Sequence, residues 1–467
     1  MRHLPADELH VRERERGLQH NEGAATDAGR PEANVCSTGP VNDCLPRLTE
    51  RIEMSTSHQP PVRWRYRLGG LLTAALVSAA IAACGSSSST SSSSTAKSGS
   101  ATPSSSKAPF NILFISGLSG PLAVYGHNAL EGIQAAAAVL NQSGGIDGHK
   151  VVVSSKDDAS TPANAVTEEE SALSSGTKPN VVINGVDGDE GLATTPALNA
   201  AHIIGMNITQ DPTYIDPSKD PYEYTTNPSY PTETGEMAQN IAAHGVHKLA
   251  VIYVDDAAGS TEEGQLVSAL KKLSISTVAQ VAFGPTALDD TSEWLHAAAS
   301  HPDGYALITQ GQSPIVLKGR AAAGITAFTQ CDTTCGANPL DKLDPPAALV
   351  NADTLNNPVA VTLPAKRTPG EKAFVAELQK LGFPNDLIVP SLEYDFVTML
   401  AQAAKQAGSI DESTLNSALQ HVSLSQPQSA SGMAMAFTPT NHFAPSGSHP
   451  LAIFATNDKF TGDVFHP

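Results

Sequence analysis

Carboxylates stand at the ends of several short apolar runs in this chain. Asp157 and Asp158 follow the run that begins KVVVS, Asp255 and Asp256 follow LAVIYV, and Asp332 closes FTQCD. The loop after Ile183, NGVDGDEG, adds Asp187, Asp189 and Glu190, and the next loop, NITQD, offers Thr209 and Gln210. Paired acids at strand ends are of the type that accepts a phosphoryl group or holds Mg²⁺. A chain sent out of the cell, as this one is expected to be, has no obvious phosphate donor. His244 and His247 have no carboxylate or third ligand at metal spacing. The sequence contains no Gly-x-Ser-x-Gly elbow, no phosphate loop and no paired catalytic acids in fixed context. No enzyme and no cofactor are expected. The chemistry left to these residues is recognition, in which carboxylates, hydroxyls and amides hold a small polar molecule by charge-assisted hydrogen bonds.

The elements that position them alternate between two periods. Apolar runs predict strands at Asn111–Ser116, Lys150–Ser154, Val181–Asn184 and Ile203–Ile208. Helical spacing predicts helices over Asn128–Asn141, from Pro162, and over Leu192–Ala201. After DPSKDPYEYTTNPSYP the pattern restarts. Helices are expected at Glu233–His244, Glu262–Leu273, Asp290–Ala299 and Pro314–Ala323. Strands are expected at Leu249–Val254, Thr277–Phe283 and Tyr305–Thr309. Strands separated by helices of this length imply right-handed βαβ units and parallel sheets. Two such runs imply an α/β protein with two doubly wound lobes. Ligands of such sheets bind beyond the carboxyl ends of the strands, so the loops after Ile115, Ile183, Ile208, Val254 and Ile308 matter most.

The amino-terminal region has a different logic. Arg63, Arg65 and Arg67 precede LGGLLTAALVSAAIAA (Leu68–Ala83), then Cys84 and a serine-rich tract. A basic region, a short apolar core and small residues at a cut site form a secretory signal over residues 54–83. The core is short for a membrane-spanning helix, which needs ~20 residues. Ile81-Ala82-Ala83-Cys84 resembles the bacterial lipobox, which implies that Cys84 is lipidated and begins the mature protein. The alternative is an ordinary signal cut after Ala83. Residues 84–107 are too polar to fold and serve as a tether. Residues 1–53 are charged, lack periodicity and precede a plausible start at Met54. They read as an extension, and Cys36 and Cys44 within it receive no role.

The chain carries 28 Lys and Arg against 47 Asp and Glu, a net charge of −19. The first 83 residues hold ten of each sign, so the acidity belongs to the body. Such a surface repels nucleic acid, and no basic aromatic stripe is present. Cys331 and Cys335 are expected to pair outside the cell, with free thiols the alternative. Their spacing also occurs in metal sites, but those want four ligands and no matching pair exists.

Ser116 to Val166 resembles the opening of type I solute-binding proteins, and more narrowly the Leu/Ile/Val-binding family that feeds ABC importers. The marks are a Ser-Gly-Pro turn, a Tyr-Gly pair, a helix ending in Gly-Gly-Ile-x-Gly, a strand, and Asp-Asp-Ala-Ser-x-Pro before a helix. LAVIYVDDAAG, FTQCD, YDFVTMLAQAAKQAG and LAIFATNDKFTG resemble later blocks in the right order. The resemblance implies two α/β lobes joined by three crossings, near Thr225–Ser229, Val350–Pro358 and Gln426–Thr438, with a ligand cleft between. The first lobe is then 108–227 with 357–430, and the second 228–356 with 431–467. It also implies a monomer working with ABC permease subunits, held to the outer face of the cell membrane by its lipid. A sensor of the same fold, uncoupled from transport, is the alternative; a secreted enzyme is a weaker one.

Carried over by resemblance, Tyr125 lines the cleft, Asp332 receives a ligand ammonium and Tyr394 faces the cleft from a late helix. Gln312 stands where the family often has an aromatic. Their structural alternatives are a turn aromatic, a helix cap, core packing and a solvated amide. The family's carboxylate-binding loop corresponds to Asp187 and Gly188, with Thr209 beyond. The acids of that loop would repel a carboxylate, which makes a branched-chain amino acid less favoured and a cationic, amide or polyamine-like ligand more so.

Overall fold

The structure is a computed structural model that describes residues 107–337, 340–383, 386–461 and 464–466. Cys84, the segment expected to be a signal and nearly all of the expected tether lie outside the described residues.

The first sheet is built from β1 (Phe110–Ser116), β2 (Val151–Asp157), β3 (Val181–Asn184), β4 (Ile204–Met206) and β5 (Glu223–Tyr224). Its order is β2-β1-β3-β4-β5 and every pairing is parallel. The residues of β1 are buried along almost its whole length, as a strand covered on both faces requires. The helices α1 (Ala123–Gln142), α2 (Pro162–Leu173) and α3 (Gly188–Ala201) connect consecutive strands. The second sheet follows α4 (Tyr230–Ala243). It takes β6 (Lys248–Val254), β7 (Ser276–Phe283), β8 (Gly304–Ile308), β9 (Phe328–Cys331) and β10 (Ala352–Asn356), linked by α5 (Ala257–Lys272), α6 (Thr291–Ala298), α7 (Ser313–Ala322), α8 (Thr333–Gly336) and α9 (Leu340–Leu343). These strands are mutually parallel, and the late strand β13 (Ala452–Ala455) adds antiparallel to β10. The alternation expected from the sequence is present, and β3 has the predicted limits.

After β10 the chain returns to the first lobe as α10 (Pro369–Leu381), α11 (Ile388–Ala407) and α12 (Glu412–Leu419). α11 packs on α1 so closely that a Cβ added at Gly132 would lie 2.2 Å from the carbonyl oxygen of Pro390. The short strands β11 (Ser423–Leu424) and β12 (Met435–Ala436) pair with each other, and a last hairpin, β14 (Lys459–Thr461) with β15 (Val464–His466), closes the described chain. Phe437 lies edge-on to Tyr224 and Phe396, and Phe443 bridges Thr225. After the stretch Gln426–Thr438, where the resemblance implies a crossing, the chain adds to the second sheet at β13. Two-residue strands in a Ser-, Gly- and Met-rich stretch leave no period to read.

The loops at the carboxyl ends of the two sheets face each other. Tyr125 begins α1 in the first lobe, yet a Cβ added at Gly311, after β8 of the second, would lie 3.6 Å from its hydroxyl oxygen.

Candidate functional site

Three of the strand-end acids do the same job. Asp187 caps α3, its Oδ1 accepting from the backbone N–H of Asp189 at 2.6 Å and of Glu190 at 3.4 Å. Asp256 caps α5 by accepting from Gly259 at 2.7 Å. Asp332 caps α8, with Oδ1 accepting from Cys335 N–H at 3.2 Å and Thr334 Oγ1 at 2.7 Å, and Oδ2 from Thr309 N–H at 2.5 Å. A helix start leaves backbone donors unpaired, and a short acidic side chain one residue earlier satisfies them. Asp157 works similarly on the first loop, accepting from the backbones of Leu118, Ser119 and Ala159.

Of the residues expected in the cleft, Tyr125 sits between the lobes beside Gly311, and burial together with Asp386 and Asp332 pushes its phenol up. Gly188 opens α3 under Tyr214: a Cβ there would meet the Tyr214 ring at 2.7 Å and Thr209 Oγ1 at 2.9 Å. The Thr209 hydroxyl is turned into its own loop, accepting from Asp211 N–H at 3.2 Å. Gln312 stitches loops together: its Oε1 accepts from Gln310 N–H at 2.8 Å and its Nε2 donates to Pro285 O at 3.3 Å. Asp332 has both oxygens engaged and is 1% exposed, so the cap reading describes it. Tyr394 lies in the core of the first lobe, edge-on to Phe374 with ring centroids 5.3 Å apart. Its place near the start of the 20-residue helix α11 does not show in sequence which face meets α10.

Cys331 and Cys335 are free thiols, both fully buried, and not the bonded pair expected. Cys331 ends a strand while Cys335 lies in the first turn of α8, held there by the Asp332 cap. Burial and a hydrogen bond to Cys331 push the Cys335 thiol up. Among the described residues no cluster of His, Cys, Asp and Glu is arranged to hold a metal ion.

The acids that sequence reasoning missed lie on helices. Glu233, in the first turn of α4, is fully buried. Its Oε1 accepts from Thr333 N–H at 2.6 Å, and its Oε2 accepts from Gln210 Nε2. Gln210 belongs to the loop after β4 and Thr333 opens α8 after β9, so one carboxylate ties the two lobes. Glu262, on the inner face of α5, is 2% exposed, and its Oε1 has no hydrogen-bond partner. Burial raises both carboxyls, and repulsion among Glu233, Glu262 and Asp332 raises them further. Tyr230, buried at the start of α4, is held up by burial and by the same acids. The signal that could have found the pair is a glutamate at the buried phase of each helix, where i to i+4 spacing otherwise places Met237, Ile241, Leu266 and Leu270.

Two doubly wound α/β lobes whose strand-end loops meet at Tyr125 and Gly311 and at Glu233, Gln210 and Thr333 define the two-lobed fold of type I solute-binding proteins. The chain belongs to the periplasmic binding protein family, whose sequence profile matches residues 109–460. That family is one of solute-binding and receptor proteins, not enzymes. A Leu/Ile/Val-binding protein homolog from Brucella melitensis is 36% identical over 75 residues, 16% of this chain and 20% of that protein. The chain thus spans about a fifth of that relative's length in the match. The fold is shared with a type 1 periplasmic binding protein from Bordetella pertussis, at TM-score 0.66 and 19% identity over 77% of this chain and 99% of that one. It is shared with a leucine-binding protein from Thermotoga maritima, at TM-score 0.63 and 17% identity over 76% and 99%. A solute-binding protein from R. palustris, solved with 4-hydroxybenzoate, matches at TM-score 0.63 and 18% identity over 77% and 95%. No helix among the described residues is long and apolar enough to cross a membrane.

Proposed function

We propose that this chain is the solute-capturing subunit of an ABC importer, held outside the cell by a lipid on Cys84. It captures a small amino-acid-like, amide or amine solute by closing its lobes and presents the closed form to permease subunits. The observation that carries this reading is the cleft itself, where Tyr125 of one lobe meets Gly311 of the other and Glu233 joins loops from both. Hinge closure of two such lobes converts binding into a shape a partner can read. The relatives named for leucine and for 4-hydroxybenzoate support a small organic solute as the cargo class. The basic, apolar and small-residue run ending at Cys84, followed by a serine tether, supports the anchor.

The test is a thermal-shift screen of the protein from residue 107 onward against amino acids, amides, polyamines and aromatic acids. A ligand at 100 times its dissociation constant stabilises by ~2.7 kcal/mol, enough to see. Loss of uptake of the hit in cells lacking the gene is expected. A screen with no stabilising solute, or uptake unchanged by the deletion, overturns the reading. Replacing Cys84 with Ser should release the protein from the membrane fraction, and undiminished retention rules out the anchor.

A further inference from the structure

Three carboxylates of the second lobe, Glu233, Glu262 and Asp332, are buried and lie close enough to repel one another. Asp332 is satisfied by three hydrogen bonds within its own loop region. Glu233 is satisfied by Thr333 and Gln210. Glu262 is not: its Oε1 is buried and unpartnered. The carboxylates of Glu233, Asp332 and Asp256 all act on Glu262, and all repel its charge. An ionised carboxylate taken out of water needs a paired charge or hydrogen-bond donors, and one left without them is costly. A cationic nitrogen bearing N–H groups supplies both at once.

The start of α3 refuses the opposite charge. Two N–H groups at the start of α3 are already taken by the carboxylate of Asp187, and the Tyr214 ring lies over Gly188 beside them. Asp189, Asp211 and Asp187 all act on the Tyr214 phenol and help to push it up. A ligand carboxylate brought to this helix start would have to displace Asp187 and sit among acids.

We propose that the solute is an organic cation without a carboxylate, an amine, diamine or guanidinium compound, whose nitrogen is received by Glu262 together with Glu233. This rests on the reading of the chain as a solute binder. The ligand then donates to the free oxygen of Glu262 and offsets the repulsion among the three acids, while the N–H groups of Asp189 and Glu190 at the start of α3 are already held by Asp187.

The experiment titrates the full-length protein with putrescine, agmatine, leucine, 4-hydroxybenzoate and calcium chloride, followed by calorimetry and thermal shift. Putrescine or agmatine should bind, and leucine and 4-hydroxybenzoate should not. Glu262→Gln, which keeps shape and removes charge, should weaken amine binding at least tenfold while the unliganded variant melts no lower than the native protein. If that variant does not fold, Glu233→Gln carries the same expectation of weakened binding. Tight binding of leucine or 4-hydroxybenzoate, unaffected by Glu262→Gln, overturns the cation assignment and leaves the solute-binding reading intact. Stabilisation by calcium alone assigns the carboxylates to a metal and also overturns it. Absence of binding by both amines counts against the cation class, and absence of binding across the wider solute screen removes the solute-binding reading as well.

Discussion

The carboxylate of Glu233 accepts a hydrogen bond from the backbone N–H of Thr333 at 2.6 Å, although 100 residues separate them along the chain. Its other oxygen accepts from Gln210, so the side chain spans the two lobes through the start of α4. A hydrogen bond to a buried charged group contributes roughly 1.5–3 kcal/mol. Glu233→Ala should lower the stability of the unliganded protein by about that amount, read from the midpoint of urea unfolding. An unchanged midpoint would mean that the bridge contributes nothing to the folded state.

Stability should fall as pH rises. Burial pushes the carboxyls of Glu169, Glu190 and Glu223 up to about 8. In the unfolded chain they titrate near the ordinary value of 4.5. Folded pKa values above the unfolded ones give stability that is fully present below about 4.5 and is lost as pH passes through about 8. The melting temperature should therefore decline across that window. A melting temperature that climbs steadily over the same range contradicts the burial of these acids.

Proton release should accompany capture of a cation. Burial and mutual repulsion raise the carboxyls of Glu233 and Glu262, and Asp332, Asp256 and the Tyr230 phenol are the other titratable groups around them. A bound cation favours their ionised forms, so affinity for putrescine should rise with pH until they are ionised and then level off. Calorimetry in buffers of different ionisation enthalpy measures the protons released. Identical heats in phosphate and Tris at neutral pH would contradict this coupling.

Asp187→Ala should remove a helix cap. It leaves the N–H groups of Asp189 and Glu190 without their acceptor, at a typical loss of ~0.5–2 kcal/mol. Chemical denaturation reads the change, and Asp187→Asn should recover most of it.

Gly132→Ala should be poorly tolerated despite alanine's better helix propensity. The added methyl would meet the Pro390 backbone, with its Cβ 2.2 Å from the oxygen and 2.7 Å from the Cα. Overpacking of this kind costs roughly 1–3 kcal/mol. A variant as stable as the native protein would show that α1 and α11 can separate freely.

The order of strands and helices was legible because each is written locally. The buried run at Val181–Asn184 and the Pro162 start of α2 coincide with what the sequence predicts. Other limits shift by a few residues. α5 begins at Ala257 because Asp256 caps it, well before the apolar period becomes visible at Glu262. The acids at strand ends were also legible as residues of consequence, but their work is capping, a local act that a ligand-binding acid imitates in sequence. Asp332 shows the ambiguity: the same position suits an ammonium acceptor and a cap, and only the three donors around it decide for the cap.

By itself the sequence determined an α/β chain with two doubly wound lobes, an acidic body and no catalytic constellation. Those properties follow from period, composition and neighbouring residues. The tertiary structure alone decided which side chains meet. Tyr394 went to the core beside Phe374, Cys331 and Cys335 remained thiols, and Glu233 and Glu262 came together on the buried faces of α4 and α5. A glutamate on a helix reads as solvent-exposed in sequence because its usual partner is water. Its burial here depends on Gln210, Thr333 and Asp332, which arrive from distant loops only when the sheets have formed and the lobes face each other.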